Sequence, residues 1–336
     1  MRTRPFFLLV LITLAAGCGT VASPTRPASV SEPAVLLIGD RAVFDPQDAT
    51  GYGFMLPGAG LATVDGLHAW VVGFGDEPGD QELIQLASAN GTDWEVSDRT
   101  VERDMGVELR PPGPIPSTVL PPDGGGQWVM YFSGSPSSGA NGADLWRATA
   151  PGPTGPWTAD PEPVLARTDV PTEDGVAPTQ LDFPAVVRTD EGYLMLFGWS
   201  PSRATTLIRS ATSADGVSWT VEGAPAIGLG LCGGFDTRSV AMPRLAPHPS
   251  GGWVALYGGF GEETDQSMAL GLARSTDGQA WTCASADPAL EMADIPGSTR
   301  LHSYALLAGG EEPPRLLIES LVAERSELWL AELRLE

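Results

Sequence analysis

From residue 34 onward the chain alternates short apolar runs with Gly-, Pro- and Ser-rich breaks. Four of the runs open on an aromatic residue: Trp70-Val-Val-Gly-Phe74, Trp128-Val-Met-Tyr-Phe132, Tyr193-Leu-Met-Leu-Phe197 and Trp253-Val-Ala-Leu-Tyr257. Short runs rich in aromatic and β-branched residues, bounded by turn formers, read as buried strands. An apolar segment and a Gly-containing turn precede each of the four. A polar loop and a further strand follow, at 82–87, 143–149, 205–211 and 268–274. Next comes a recurring turn: Ser88-Ala-Asn90-Gly91-Thr-Asp-Trp94, Ser213-Ala-Asp215-Gly216-Val-Ser-Trp219 and Ser275-Thr-Asp277-Gly278-Gln-Ala-Trp281, with a degenerate copy ending Gly155-Pro156-Trp157. The tryptophans at 94, 157, 219 and 281 lie 63, 62 and 62 residues apart, which makes the chain an internal repeat.

A fourth strand after each turn gives four antiparallel strands per repeat, the pattern of a propeller blade. A fifth unit, 301–336, has only three strands. Arg41-Ala-Val-Phe44 is similar to the fourth strands and is expected to complete that blade and close the ring, leaving no sheet edge exposed. The expected fold is all-β, a five-bladed β-propeller spanning 34–336. In the turns, Asp or Asn accepts backbone N–H bonds, Gly takes φ > 0, and Trp fills the wedge between blades. One role repeated around a ring is a packing role.

Composition narrows the function. No lysine occurs, and 42 acids against 19 arginines leave a formal charge of −23. A nucleic-acid partner is excluded for want of a basic stripe, and Schiff-base and P-loop chemistry for want of lysine. Arg2 and Arg4, the apolar run from Phe6 to Leu14, and Ala15-Ala16-Gly17-Cys18 follow the order of an export signal. The segment resembles a bacterial lipoprotein signal, which implies cleavage of 1–17, lipid on Cys18 and a membrane anchor. An ordinary secretory signal is the other reading. Residues 18–33 read as a flexible tether. Cys232 and Cys283 then form an even pair in an oxidising compartment and are expected to be a disulfide clasping the fourth blade, with two buried thiols as the alternative.

The sixty-residue blades, the Ala273-Arg-Ser-Thr-Asp277-Gly278 run into Trp281, Thr154-Gly155-Pro156-Trp157 and Leu301-His302-Ser303 together resemble the five-bladed propellers of glycoside hydrolase families 43, 32 and 62. The turn also resembles the Asp-box of sialidases. The resemblance implies three carboxylates at the inner ends of first strands. Leu181-Asp182-Phe183-Pro184 is similar to the segment that carries the pKa-modulating acid. Counting back from Trp70 puts Ala59 where the base belongs, and Ala241 stands where the acid belongs. The resemblance also implies a cation, calcium, near His302 in the channel.

The strand plan puts first-strand starts and the loops between second and third strands on one face, the mouth, where propellers bind ligands. Strand starts bring Glu108, Arg110, Asp182, Asp236, Arg238, Arg300 and His302 there. The loops bring Asp76, Glu77, Asp80, Trp199, Arg203, Glu262, Glu263, Asp265, Glu319 and Glu324. His68 and His248 point away. Asp182 with Asp236, then Glu319, are the candidate catalytic acids. Trp199 is the candidate stacking platform, and Arg110, Arg238, Arg300 and His302 are ligand contacts or ion-pair partners. The expectation is an exported, monomeric, lipid-anchored propeller that binds or processes glycan. A hydrolase with relocated carboxylates and a protein-interaction scaffold are the alternatives.

Overall fold

The computed structural model describes residues 35–335 apart from 76–79, 101–104, 138–141, 171, 173–176, 203–204, 262–266 and 310–311. The expected signal, Cys18 and tether lie outside the described residues, as do Asp76, Glu77, Arg203, Glu262, Glu263 and Asp265. Among the described residues no helix is long and apolar enough to cross a membrane.

A strand β1 (Val35–Ile38) and a short helix α1 (Pro46–Thr50) precede the blades. Blade one is β2 (Phe54–Thr63), β3 (Gly66–Phe74), β4 (Gln81–Ser88) and β5 (Glu95–Thr100). Blade two is β6 (Leu109–Leu120), β7 (Trp128–Pro136), β8 (Asp144–Ala150) and β9 (Thr158–Ala159). Blade three is β10 (Gln180–Thr189), β11 (Gly192–Ser202), β12 (Thr205–Ser213) and β13 (Thr220–Val221). Blade four is β14 (Ser239–Pro247), β15 (Trp253–Phe260), β16 (Ala269–Ser275) and β17 (Thr282–Cys283). Blade five is β18 (Ser298–Leu307), β19 (Arg315–Val322) and β20 (Arg325–Arg334), with β1 as its outer strand. All pairings are antiparallel, and neighbouring first strands touch around the whole ring, β18 against β2 included.

The closing strand lies earlier than the sequence resemblance placed it. Val35–Ile38 pairs with Arg334–Ala331, whereas Phe44 makes only an isolated bridge to Leu328. Leu165, Ile227 and Leu290 make the same kind of bridge to the third strands of blades two, three and four. Arg41–Phe44 therefore corresponds to this bridging segment, which lies just past the fourth strand in the other blades.

The repeated turns fasten blade to blade. Ser275 Oγ accepts from Gly278 N at 2.8 Å, and Asp277 Oδ1 accepts from Gln279 N and Ala280 N at 2.8 and 2.9 Å. The same bonds recur at Ser88 with Asn90 and at Ser213 with Asp215. Gly278 has φ 78°, and a Cβ there would come within 2.5 Å of Leu194 in blade three. Tyr131 of blade two likewise donates to Gly216 O of blade three at 2.7 Å. Trp70 of blade one packs edge-on against Trp157 of blade two. Cys232, just before blade four, and Cys283 in its β17 are joined as a disulfide with Cα atoms 5.1 Å apart.

Candidate functional site

The five first strands line the axis, and their registers identify the positions that share a level at the mouth. In blade three Tyr193 pairs with the turn serine Ser213, and five residues later Gly198 pairs with Asp182. In blade four Trp253 pairs with Ser275, and Gly258 pairs with Ala241. In blade one it is Leu67, not Trp70, that pairs with Ser88, so Val72 is the counterpart of Gly198 and its partner is Leu56. The count from Trp70 to Ala59 was thus three residues out of frame, because β3 begins at Gly66, before its tryptophan. The same count reaches Ile115 in blade two, whereas blade five has no turn serine to count from, and its bulge falls at His302. Of the four equivalent positions, Leu56, Ile115, Asp182 and Ala241, only Asp182 carries an acid.

A bulge follows Asp182 and another follows Ala241. At these bulges Phe183 and Met242 have φ 52° and 53°, a left-handed conformation that bulky side chains adopt only when their surroundings impose it. Gln180, two residues before Asp182 and on the same side of the strand, donates from Nε2 to its Oδ2 at 2.5 Å. Burial nevertheless dominates and pushes the Asp182 carboxyl up to about 7, since a carboxylate removed from water loses more than one hydrogen bond returns.

Blade five contributes a second polar group. Glu319 is fully buried and accepts from Ser326 Oγ at 2.8 Å. Its Oε2 lies 3.7 Å from His302 Nδ1, too far for a hydrogen bond. Burial pushes Glu319 up to about 8, while burial and then the Arg300 guanidinium hold His302 below its ordinary value. Both shifts favour the neutral forms, so the contact is not an ion pair at neutral pH. Glu319 Oε2, His302 Nδ1 and Ser303 Oγ are buried with no protein partner, and Ser303 is the cross-strand partner of Glu319. Buried polar atoms in native proteins are almost always satisfied, so three orphans at one place mark where water or ligand atoms belong. Phe54 meets the His302 ring edge-on at 4.8 Å.

The other candidates are placed differently. Asp236 is fully buried and accepts from Tyr257 Oη at 2.7 Å, Cys232 N at 3.0 Å and Gly233 N at 3.2 Å. It ties the loop before β14 to β15 and leaves no oxygen for a reacting group, so the structure does not join it to Asp182 as an acid and base. Trp199 lies under Arg209, whose guanidinium carbon is 5.3 Å from the ring centroid, so that face is not open to a sugar. Arg110 donates from Nε and Nη2 to Ser137 O. Arg238 and Glu108 are exposed, Arg300 is half-buried beside His302, and Glu324 is exposed in the turn between β19 and β20.

Calcium takes six to eight oxygen ligands. Around His302 the described residues supply one carboxylate, Glu319, which favours its protonated form, and among them no three His, Cys, Asp or Glu side chains converge. The residues at hand do not fit a calcium site. Gln180, Ser326, Ser303 and Phe54 were not found from sequence; only the i, i+2 spacing of Gln180 and Asp182 on one strand face announced any of them.

No protein-family profile matches the chain, and no curated protein sequence matches it. Solved structures do. A family 117 glycoside hydrolase of Zobellia galactanivorans is 13% identical with a TM-score of 0.62, covering 89% of this chain and 90% of its own. A thermostable family-43 glycoside hydrolase is 14% identical with a TM-score of 0.60, covering 84% and 90%. The endo-arabinase of Bacteroides thetaiotaomicron is 13% identical with a TM-score of 0.59, covering 84% and 95%. The chain is a five-bladed β-propeller with the architecture that these glycoside hydrolases share.

Proposed function

We propose that the protein binds glycan at the mouth of its propeller, with Asp182 and His302 as the polar groups that meet the sugar and Glu319 buried beside His302. The observation that carries this reading is the single acid among the four equivalent first-strand positions, on an architecture whose solved relatives are glycoside hydrolases. Hydrolysis of a glycosidic bond ordinarily takes two carboxyl groups on opposite sides of it. With Leu56 and Ala241 at two of the positions, recognition without efficient cleavage is favoured. Neutral His302 suits hydrogen bonding to sugar hydroxyls, with protonated Glu319 beside it. Export and lipid attachment at Cys18 belong to the same proposal and rest on the order of charges, apolar run and cysteine in residues 1–18.

A glycan array followed by calorimetry tests the binding. Asp182→Asn and His302→Ala are expected to weaken the best ligand by about tenfold or more. A protein that binds no glycan counts against the reading, and release of reducing sugar abolished by Asp182→Asn moves it to the hydrolase alternative. Labelling with a radioactive fatty acid tests the anchor: incorporation is expected in the wild type and not in Cys18→Ser.

A further inference from the structure

On the far side of the bulges from Asp182, the structure holds a buried cation without a counter-charge. Arg244 in β14 is 2% exposed. It donates from Nη1 to Pro243 O at 2.8 Å and from Nη2 to Tyr304 O at 2.9 Å, and its Nε reaches no acceptor. A guanidinium has five N–H groups, so three remain. The rings of Tyr304 and Phe183 lie 5.2 and 5.8 Å from its carbon. No carboxylate of a described residue pairs with it. Burial pushes it down to about 10, so it is charged at neutral pH.

Arg244 lines a cavity of about 710 Å³. The other lining residues come from the later halves of all five first strands, from the turns that follow, with His248 and Gly309 among them, and from the end of β20 at Leu333, Arg334 and Leu335. The cavity therefore opens on the face opposite the mouth. Its walls are largely aliphatic, with Leu120, Val187, Ala308 and Leu335 half-exposed on them. A pocket of largely apolar walls with a buried, incompletely bonded guanidinium in its lining selects an amphipathic ligand. The planar fork of the guanidinium matches a carboxylate. A halide would leave most of the apolar volume unfilled.

We propose that this cavity binds an organic monocarboxylate, its carboxylate on Arg244 and its apolar body along Leu120, Val187, Ala308 and Leu335. The ligand class and the face differ from those of the glycan reading, so either can fail without the other.

The test is calorimetric titration of the purified protein at fixed ionic strength with sodium chloride, acetate, hexanoate and glucuronate, supported by a crystal grown with 6-bromohexanoate. Hexanoate is expected to bind at least about tenfold more tightly than acetate, because each buried methylene adds to the affinity, and to raise Tm. Bromine anomalous signal is expected inside the cavity. Arg244→Met is expected to abolish binding. Ala308→Trp, on a half-exposed wall residue, is expected to do the same with Arg244 intact, which keeps the test decisive if the arginine variant does not fold. Absence of binding by every carboxylate overturns the proposal, as do chloride or glucuronate binding as well as hexanoate, bromine located elsewhere, or full affinity in Ala308→Trp.

Discussion

Glu319 and His302 meet in surroundings where neither keeps its usual charge, and the consequence for stability has a definite sign. The folded protein raises the Glu319 carboxyl from 4.5 to about 8. Below pH 4.5 the carboxyl is protonated in both states and the fold bears no penalty. As pH climbs toward 8 the unfolded chain gains from releasing the proton and the folded chain does not, so stability is lost across that window. Glu319→Gln keeps an oxygen for Ser326 and has no proton to release. It is therefore expected to exceed the wild type in stability at pH 8 by an amount on the order of a few kcal/mol, and to match it near pH 4.5. Urea unfolding of both proteins from pH 4 to 9 checks this; parallel curves would clear Glu319 of the effect. Asp182, at about 7, titrates where the protein would work. Glycan affinity is expected to change between pH 6 and 8 in the wild type and to be flat in Asp182→Asn when measured by calorimetry across that range. Sequence pointed to Asp182 and Glu319 as candidates, but not to their protonation, because that depends on desolvation by residues distant in the chain. Asp236 failed as a partner for the same reason: nothing local announces that Tyr257, twenty-one residues on, donates to it.

At the scale of elements, the turn was readable because its parts are contiguous. Serine, acid, glycine and tryptophan fall within seven residues and make their bonds to one another. The backbone and hydroxyl donors of the turn pull Asp215 down to about 2 although it is exposed, so a carboxylate of low pKa here reports a fastened loop and not a reactive group. Gly278 carries both the left-handed φ and the contact with Leu194. Gly278→Ala is expected to destabilise by about 2 to 4 kcal/mol, compared with less than about 1 kcal/mol for Gly152→Ala, where a Cβ meets nothing. Urea midpoints of the two variants against the wild type measure the difference. Strand register was less legible. The aromatic residue that opens the second strands of blades two, three and four is replaced in blade one by Leu67, and Trp70 sits three residues further along. Trp70 instead packs against Trp157 and donates to Pro153 O, an interblade role that mimics the strand-opening pattern. A single misassigned aromatic moved the inferred site position from Leu56 to Ala59.

At the scale of the whole molecule, the number of blades followed from the 62-residue interval, but the closure of the ring rests on pairing between the two ends of the chain. Such pairing leaves little signal in either end alone, and the bridging Phe44 carried a pattern close enough to a strand to be taken for one. β1 covers the outer edge of β20, and its Leu36 and Ile38 pack against the core shared by blades four and five. Removing residues 1–40 would expose that edge and uncover those cores, which is a route to edge-to-edge aggregation. The disulfide acts elsewhere, at the core between blades three and four: it links residues 51 apart in sequence and so limits the freedom of unfolded blade four, an effect of about 4 kcal/mol on the chain-entropy account. Reduction is therefore expected to lower the urea midpoint while leaving one cooperative transition, because the sheets and the closure are intact. Loss of β1 is expected to broaden the transition and promote association, because a ring opened at one point no longer requires its blades to unfold together. Chemical denaturation followed by tryptophan fluorescence, with light scattering on the same samples, separates the two. A truncated chain that unfolds in a single sharp step and stays monomeric would show that the ring is held by the blade cores and not by its clasp.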